Sequence, residues 1–169
     1  MELERANVWR IVTHMSRAFV RETDAEVTDP TPDRPISDNP NFVTGNGLAQ
    51  IDARISELTA AREAAVSSDY ETTLPGIDRE LRYWRHRRDS AQLVEPAAKP
   101  DIVRFGVKVR LEFGDGSARH FRLVGEDEAD PPSGLVSYAS PVGKALIGRR
   151  CGDAVEVFGQ RAEIVSMCT

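Results

Sequence analysis

Cysteine is nearly absent. The two present, Cys151 and Cys168, stand far apart with no histidine or cysteine at ligand spacing, so neither a disulfide framework nor a zinc site is indicated. Long apolar runs are also missing, which excludes a helical bilayer span. The opening Met1-Glu2-Leu3-Glu4-Arg5 lacks the form of a secretory signal, so the expected location is the cytoplasm, with no membrane partner. Basic charge is in deficit: the net charge of −5 argues against a protein that grips bare duplex DNA through a large basic surface. A nucleic acid would have to be presented by another protein. What remains is an ordinary chain of 169 residues, enough for one medium domain or two small ones.

Thr44 to Val94 carries the strongest pattern. Leu48, Ile51, Ile55, Leu58 and Ala65 follow steps of three and four, with Arg62 at the missing position; Leu74, Ile77, Leu81, Trp84 and Ala91 repeat the steps, with Arg88 at the gap. Between them the stripe stops, and Pro75 fits only the first turn of a helix. The spacing predicts an antiparallel two-helix coiled-coil hairpin over 42–95, one helix to about Val66 and the next from about Thr73 to Leu93. Thr44 is its N-cap, with Phe42 or Val43 packing back as a staple. At 1.5 Å per residue the arms project roughly 30 Å to a small acidic tip containing Asp69 and Glu71. Opposite the second apolar stripe, Arg79, Arg82 and His86 share a side flanked by Arg85, either a solvated face or a basic strip set to meet phosphates.

Residues 1–41 read as a flexible arm, because the acidic, proline-rich stretch from Glu22 to Pro35 has too few large apolar groups to offset the entropy of ordering. Leu3, Val8, Trp9, Ile11 and Val12 suit a short amphipathic helix ahead of it, and Met15-Ser16-Arg17 offers an alternative natural start.

Pro96 to Pro100 reads as a stiff linker, and beyond it the period changes to two. Val107, Val109, Leu111 and Phe113 alternate with charged residues. Gly114-Asp115-Gly116-Ser117 turns the chain, and Phe121 and Leu123 return it. An acidic loop, Gly125 to Pro132, leads to a strand near Leu135–Tyr138. A short helix then opens on Ser140 as cap and Pro141 as first residue. A hairpin around Gly159 closes a domain over 101–169. The expected class is α+β: the helical hairpin, then a small antiparallel sheet wrapped over one helix.

Four blocks carry a resemblance: Gly106 to Val109, Phe121 to Asp130, Ser140 to Gly148, and Gly152 to Val157. In that order they resemble the C-terminal domain of the GreA/GreB transcription elongation factors, and Ile77 to Trp84 with Ala91 to Val94 is similar to the second hairpin helix of that family. The likeness covers about Phe42 to Met167. It implies an FKBP-like C-terminal domain that docks on RNA polymerase at the rim of the secondary channel. The hairpin then enters the channel, and acidic tip residues share magnesium with the polymerase so that the polymerase cleaves backtracked transcripts. On this likeness Asp127, Glu128, Ala129, Asp130, Ser140 and Pro141 would contact polymerase. Asp69 and Glu71 would hold the shared magnesium, the protein having no cofactor of its own, and Arg79, Arg82 and Arg85 would meet nascent RNA or DNA within the complex. The tip departs from the family's Asp-Leu-Ser-Glu-Asn-Ala-Glu-Tyr type of motif, having Ser67-Ser68-Asp69-Tyr70-Glu71-Thr72 instead, and the hairpin is shorter. A non-enzymatic monomer that competes for polymerase, rather than one that strongly stimulates cleavage, is therefore the expected function. The alternatives are a true cleavage-stimulating factor, an FKBP-like prolyl isomerase, and a plain protein-interaction module.

Overall fold

The computed structural model describes residues 32–67 and 71–169. Strand β1 (Phe42–Val43) leads into helix α1 (Gly45–Ser67), and a 3-10 turn at Glu71–Thr73 precedes helix α2 (Leu74–Asp89). Thr44 is the N-cap, its hydroxyl oxygen accepting from the Gly47 N–H at 2.9 Å. Pro75 lies in the first turn of α2, where its missing N–H breaks no helical bond. Ile51, Leu58, Ala65 and Leu81 are buried along the seam. At the two gaps, Arg62 pairs with Asp78 at 2.6 Å and Arg88 with Asp52 at 2.5 Å, so each arginine reaches an aspartate of the other helix. These pairs are exposed, worth about 0.2–1 kcal/mol each; they define register more than stability. The 23 residues of α1 are about 34 Å long.

Helix α2 stops at Asp89, four residues before the end expected from periodicity. The cause is a contact remote in sequence: β2 (Gln92–Leu93) pairs in parallel with β1. Gln92 donates to the Asn41 carbonyl at 2.8 Å and Val94 to the Val43 carbonyl at 3.0 Å, drawing the chain out of the helix.

The second unit is a five-stranded sheet of β3 (Lys108–Phe113), β4 (Ala118–Val124), β5 (Leu135–Ser137), β6 (Ala154–Val157) and β7 (Gln160–Cys168), in the order β5-β4-β3-β7-β6. Alternation along β3 buries Val109, Leu111 and Phe113 and exposes Lys108, Arg110 and Glu112, as period two requires. Those residues, with Leu123, Val155, Val157 and Ile164, form one core closed by Leu146 of helix α3 (Pro141–Leu146). Burying each large aliphatic there contributes about 1.5–3 kcal/mol. The sheet is mixed rather than antiparallel: β5 runs parallel to β4. The segment between them carries the chain back across the sheet end before it re-enters, which a hairpin turn would not do. Ser140 caps α3, accepting from the Gly143 N–H at 3.0 Å. Among the described residues no helix is long and apolar enough to cross a membrane.

Candidate functional site: the joint between hairpin and sheet

The acidic loop at the end of β4 is where the two units meet. Expected as an exposed loop, it is largely turned inward, with the side chain of Asp127 only 8% exposed. Asp127 accepts from the Tyr83 hydroxyl at 2.6 Å and from Arg87 Nε at 2.5 Å, both on α2. Arg87 is itself buried, and its second guanidinium nitrogen stands 3.7 Å from Glu126. Glu128, also buried, accepts from the Thr44 hydroxyl at 2.6 Å and the Asn46 amide at 3.0 Å, at the start of α1. Three consecutive carboxylates therefore grip the roots of both helices. Such charges are tolerated out of water only because each finds donors. The grip also needs space: a Cβ on Gly47 would lie 2.6 Å from a Glu128 oxygen. Phe42, Phe105 and Tyr138 cluster edge-on beside it, with centroids 5.4 to 5.9 Å apart, and Phe42 thus packs on the sheet domain rather than stapling its own helix.

The expected flexible arm ends earlier than position 41. Residues 32–41 lie against α2 and the acidic loop. Arg34 stacks over the Tyr83 ring at 3.8 Å and approaches Glu80 at 3.8 Å and Asp127 at 4.0 Å. Asp33 pairs with Arg82 at 2.6 Å; Ser37 and Asn39 donate to Glu126 at 3.0 and 3.2 Å; and the buried Asn41 donates to the Arg87 carbonyl at 2.6 Å. This segment is a strap across the joint. The amphipathic piece and the Met15 start expected further upstream lie outside the described residues.

Burial raises the Tyr83 phenol to about 12, with the Asp127 hydrogen bond and charge adding in the same direction. The folded value lies above the unfolded one, so this contribution to stability is complete below pH 10 and is lost as pH rises through about 12. A tyrosinate absorbance titration should show a late phase that Tyr83→Phe removes; a single phase at the ordinary phenol value would contradict the buried bond.

The remaining expected residues are dispersed. Asp130 is exposed and accepts from the Ser133 hydroxyl at 2.5 Å; Pro141 is exposed, and Ala129 and Ser140 are half-buried. Ser140 spends its hydroxyl locally, donating to the Ser137 carbonyl at 2.7 Å. Arg82 and Arg85 are exposed on α2 and Arg79 is half-buried, and a groove between the helices is lined by Arg82 and Arg85 together with Arg62, Glu63 and Asp78. That face is of mixed sign. Asp69 lies outside the described residues, and Glu71 is described only as backbone in the turn before α2. Two carboxylates two positions apart are of the hard-oxygen type that magnesium takes. Among the described residues no cluster of three or more His, Cys, Asp or Glu could hold a metal ion.

Tyr83 and Arg87 escaped sequence reasoning, since both fall off the seam of the coiled coil. A signal was present: a tyrosine four residues before an arginine marks a second inward-facing side of α2.

Comparison with known proteins gives the chain's family. Residues 97–166 match the family model described as transcription elongation factor, GreA/GreB, C-term. The chain is 36% identical over 107 residues to transcription elongation factor GreB of Yersinia pestis, covering 61% of this chain and 63% of that one. It is 33% identical over 120 residues to GreB of Pasteurella multocida, covering 69% and 76%. A solved structure, the prokaryotic transcription elongation factor GreA/GreB from Nitrosomonas europaea, aligns over 76% of this chain and 98% of that one at 21% identity, with a TM-score of 0.39. The alignments span about two thirds of the GreB relatives' own length. With a third of the aligned residues identical across three quarters of the Pasteurella multocida protein, this chain belongs to the GreA/GreB family.

Proposed function

We propose that this chain is a cytoplasmic regulator of transcription elongation that acts on RNA polymerase, non-enzymatic itself and working as a monomer. In this reading the sheet domain docks at the rim of the secondary channel and the hairpin enters it. The observation that supports it best is the joint: Arg87, Tyr83 and Asp127 on one side and Thr44 and Glu128 on the other root a long hairpin on a compact base. A projecting element held this way transmits docking geometry to its tip. The proposed polymerase contacts are Asp130 and Pro141 at the surface with Ala129 and Ser140 beside them, while Asp127 and Glu128 hold the loop from behind. Arg79, Arg82 and Arg85 would face RNA or DNA inside the complex.

The favoured mode is competition rather than strong stimulation of cleavage. Each residue missing from a helical arm withdraws the tip by about 1.5 Å, and a magnesium ligand must lie within about 2.1 Å of the ion. The second reading, a true cleavage factor, is favoured by the presence of Asp69 and Glu71 at the tip. In that case they would hold the shared magnesium, which supplies an activated water for phosphodiester hydrolysis. An isomerase is disfavoured because four of the five aromatics of the sheet domain are spent elsewhere: Phe113 and Phe121 lie in the core, Phe105 and Tyr138 pack on Phe42 at the joint, and exposed Phe158 alone does not line an aromatic pocket.

The test is a backtracked complex with purified protein. The expected result is polymerase binding, no acceleration of transcript shortening, and displacement of an authentic cleavage factor. Magnesium-dependent cleavage abolished by Asp69→Asn would establish the second reading, and failure to co-purify with polymerase would remove both.

A further inference from the structure

The strap runs along α2 in a definite direction. From Asn41 at the Arg87 carbonyl it passes Ser37 and Asn39 at Glu126 and Arg34 at the Tyr83 ring, and it brings Asp33 to Arg82 at 2.6 Å. Followed backwards along the chain, its course is therefore from the root of α2 toward the tip. Between Arg34 and Asp33 it also passes from the joint side of the helix to the outer side, since Tyr83 and Arg82 are about 100° apart around α2. On that outer side Arg79, Arg82 and Arg85 follow at steps of three, successive neighbours about 5–6 Å apart. The acids beside them are Asp78, already held by Arg62 at 2.6 Å, and Asp89 at the helix end. The sequence just upstream of the strap carries the opposite charge. Glu22, Asp24, Glu26, Asp29 and Asp33 occur with no lysine or arginine anywhere from 22 to 33, so this stretch accounts for the whole net charge of −5 and the rest of the chain is balanced. Prolines at 30, 32 and 35 favour extended chain. At about 3.1 Å per residue, Asp29 can lie about 12 Å and Glu26 about 22 Å beyond Asp33, which brings every arginine within a turn of Arg82 into reach.

We infer that the outer side of α2, at Arg79, Arg82 and Arg85, is the docking surface for the chain's own acidic segment, Glu22–Asp29. The Asp33 pair with Arg82 is the first contact of the series, and the carboxylates upstream extend it to the neighbouring arginines. Tethering decides the occupant: a segment anchored at Asp33 meets this surface at a high effective concentration that a separate molecule or a second copy does not have. Each exposed pair is weak and screened by salt, so the contact rests on the set rather than on any one of them. The consequence for function rests on the reading that these arginines meet RNA or DNA. Carboxylates then stand where phosphates would, and a nucleic acid reaches the strip only by displacing them.

The experiment compares backbone amide NMR shifts of the full-length chain, at low salt and without polymerase or nucleic acid, with those of a variant carrying Glu22→Gln, Asp24→Asn, Glu26→Gln and Asp29→Asn. Outside the substituted segment itself, the differences should fall on α2 between Gly76 and His86. Raising salt to about 1 M, which screens charges beyond about 3 Å, should reproduce them in the parent chain. The parent's shifts should not change over about a tenfold dilution, as an intramolecular contact requires. No difference on α2, or differences at Lys108, Arg110 and Arg122 of the sheet instead, would overturn the inference, and shifts that vary with protein concentration would overturn it in favour of a second copy. A short labelled single-stranded RNA, followed by fluorescence anisotropy, should bind the variant about fivefold more tightly than the parent, because the strip is no longer covered. Arg79→Gln with Arg85→Gln should remove that gain. Shifts on α2 without any gain in RNA binding would uphold the docked segment and refute the nucleic-acid role of the strip.

Discussion

Arg87→Ala is expected to cost about 3–5 kcal/mol, because it leaves Asp127 and Glu126 partly out of water without their cation. Asp127 would keep the Tyr83 hydroxyl and the more distant Arg34, neither of which replaces a buried guanidinium at 2.5 Å. The loss should be concentrated at the joint. Amide exchange should accelerate at the end of α2, at β2 and in residues 32–41, while the sheet core around Leu111 and Ile164 stays protected. Arg87→Lys should rescue little, since a single ammonium cannot serve Asp127 and Glu126 with the same planar fork. A loss below about 1 kcal/mol, the range of a surface pair, would mean that the joint is held by its aromatic cluster instead.

Gly143→Ala is the second large effect, and it lies in the sheet domain. An added Cβ would stand 2.2 Å from the Ser137 carbonyl oxygen and 2.8 Å from Tyr138, both backbone contacts that no rotamer change relieves. Helix α3 would have to move off β5, uncovering Leu146, which is fully buried. We expect destabilisation of about 3 kcal/mol or more, seen as a fall in melting temperature above about 10 °C. Gly148→Ala, in the same segment but with open space around it, separates crowding from the cost of a positive φ. A loss at Gly143 below about 1 kcal/mol would show that α3 can shift to absorb the close approach, since Gly143 carries no positive φ.

Much of the fold was legible because it is local. The three-and-four steps of Ile51, Leu58 and Leu81 and the alternation of Val109, Leu111 and Phe113 follow from helix and strand geometry alone, and the structure buries all six. Ser140 and Thr44 were legible as caps for the same reason. What escaped depends on partners far along the chain. Asp127 and Glu128 read as an acidic loop open to a partner, because nothing near them in sequence neutralises them; their donors lie 40 or more positions away. The early end of α2 and the parallel direction of β5 are likewise set by strands that sequence proximity does not reveal. Arg62 and Arg88 looked like interruptions of the apolar stripe until the antiparallel register brought Asp78 and Asp52 to face them.

That register limits how the reach of the hairpin can change. The two crossing pairs, Arg62 with Asp78 and Arg88 with Asp52, are both centred on position 70, so the arms are matched residue for residue from root to tip. Adding a single residue to one arm would rotate everything beyond it by about 100° and set the apolar stripe of one helix against the charged side of the other. Seven residues added to both arms would restore every facing and lengthen the hairpin by about 10 Å. The tip of such a protein therefore advances or retreats in whole heptads, a ruler with coarse divisions, and homologues or engineered variants of different reach should differ by paired insertions of that size.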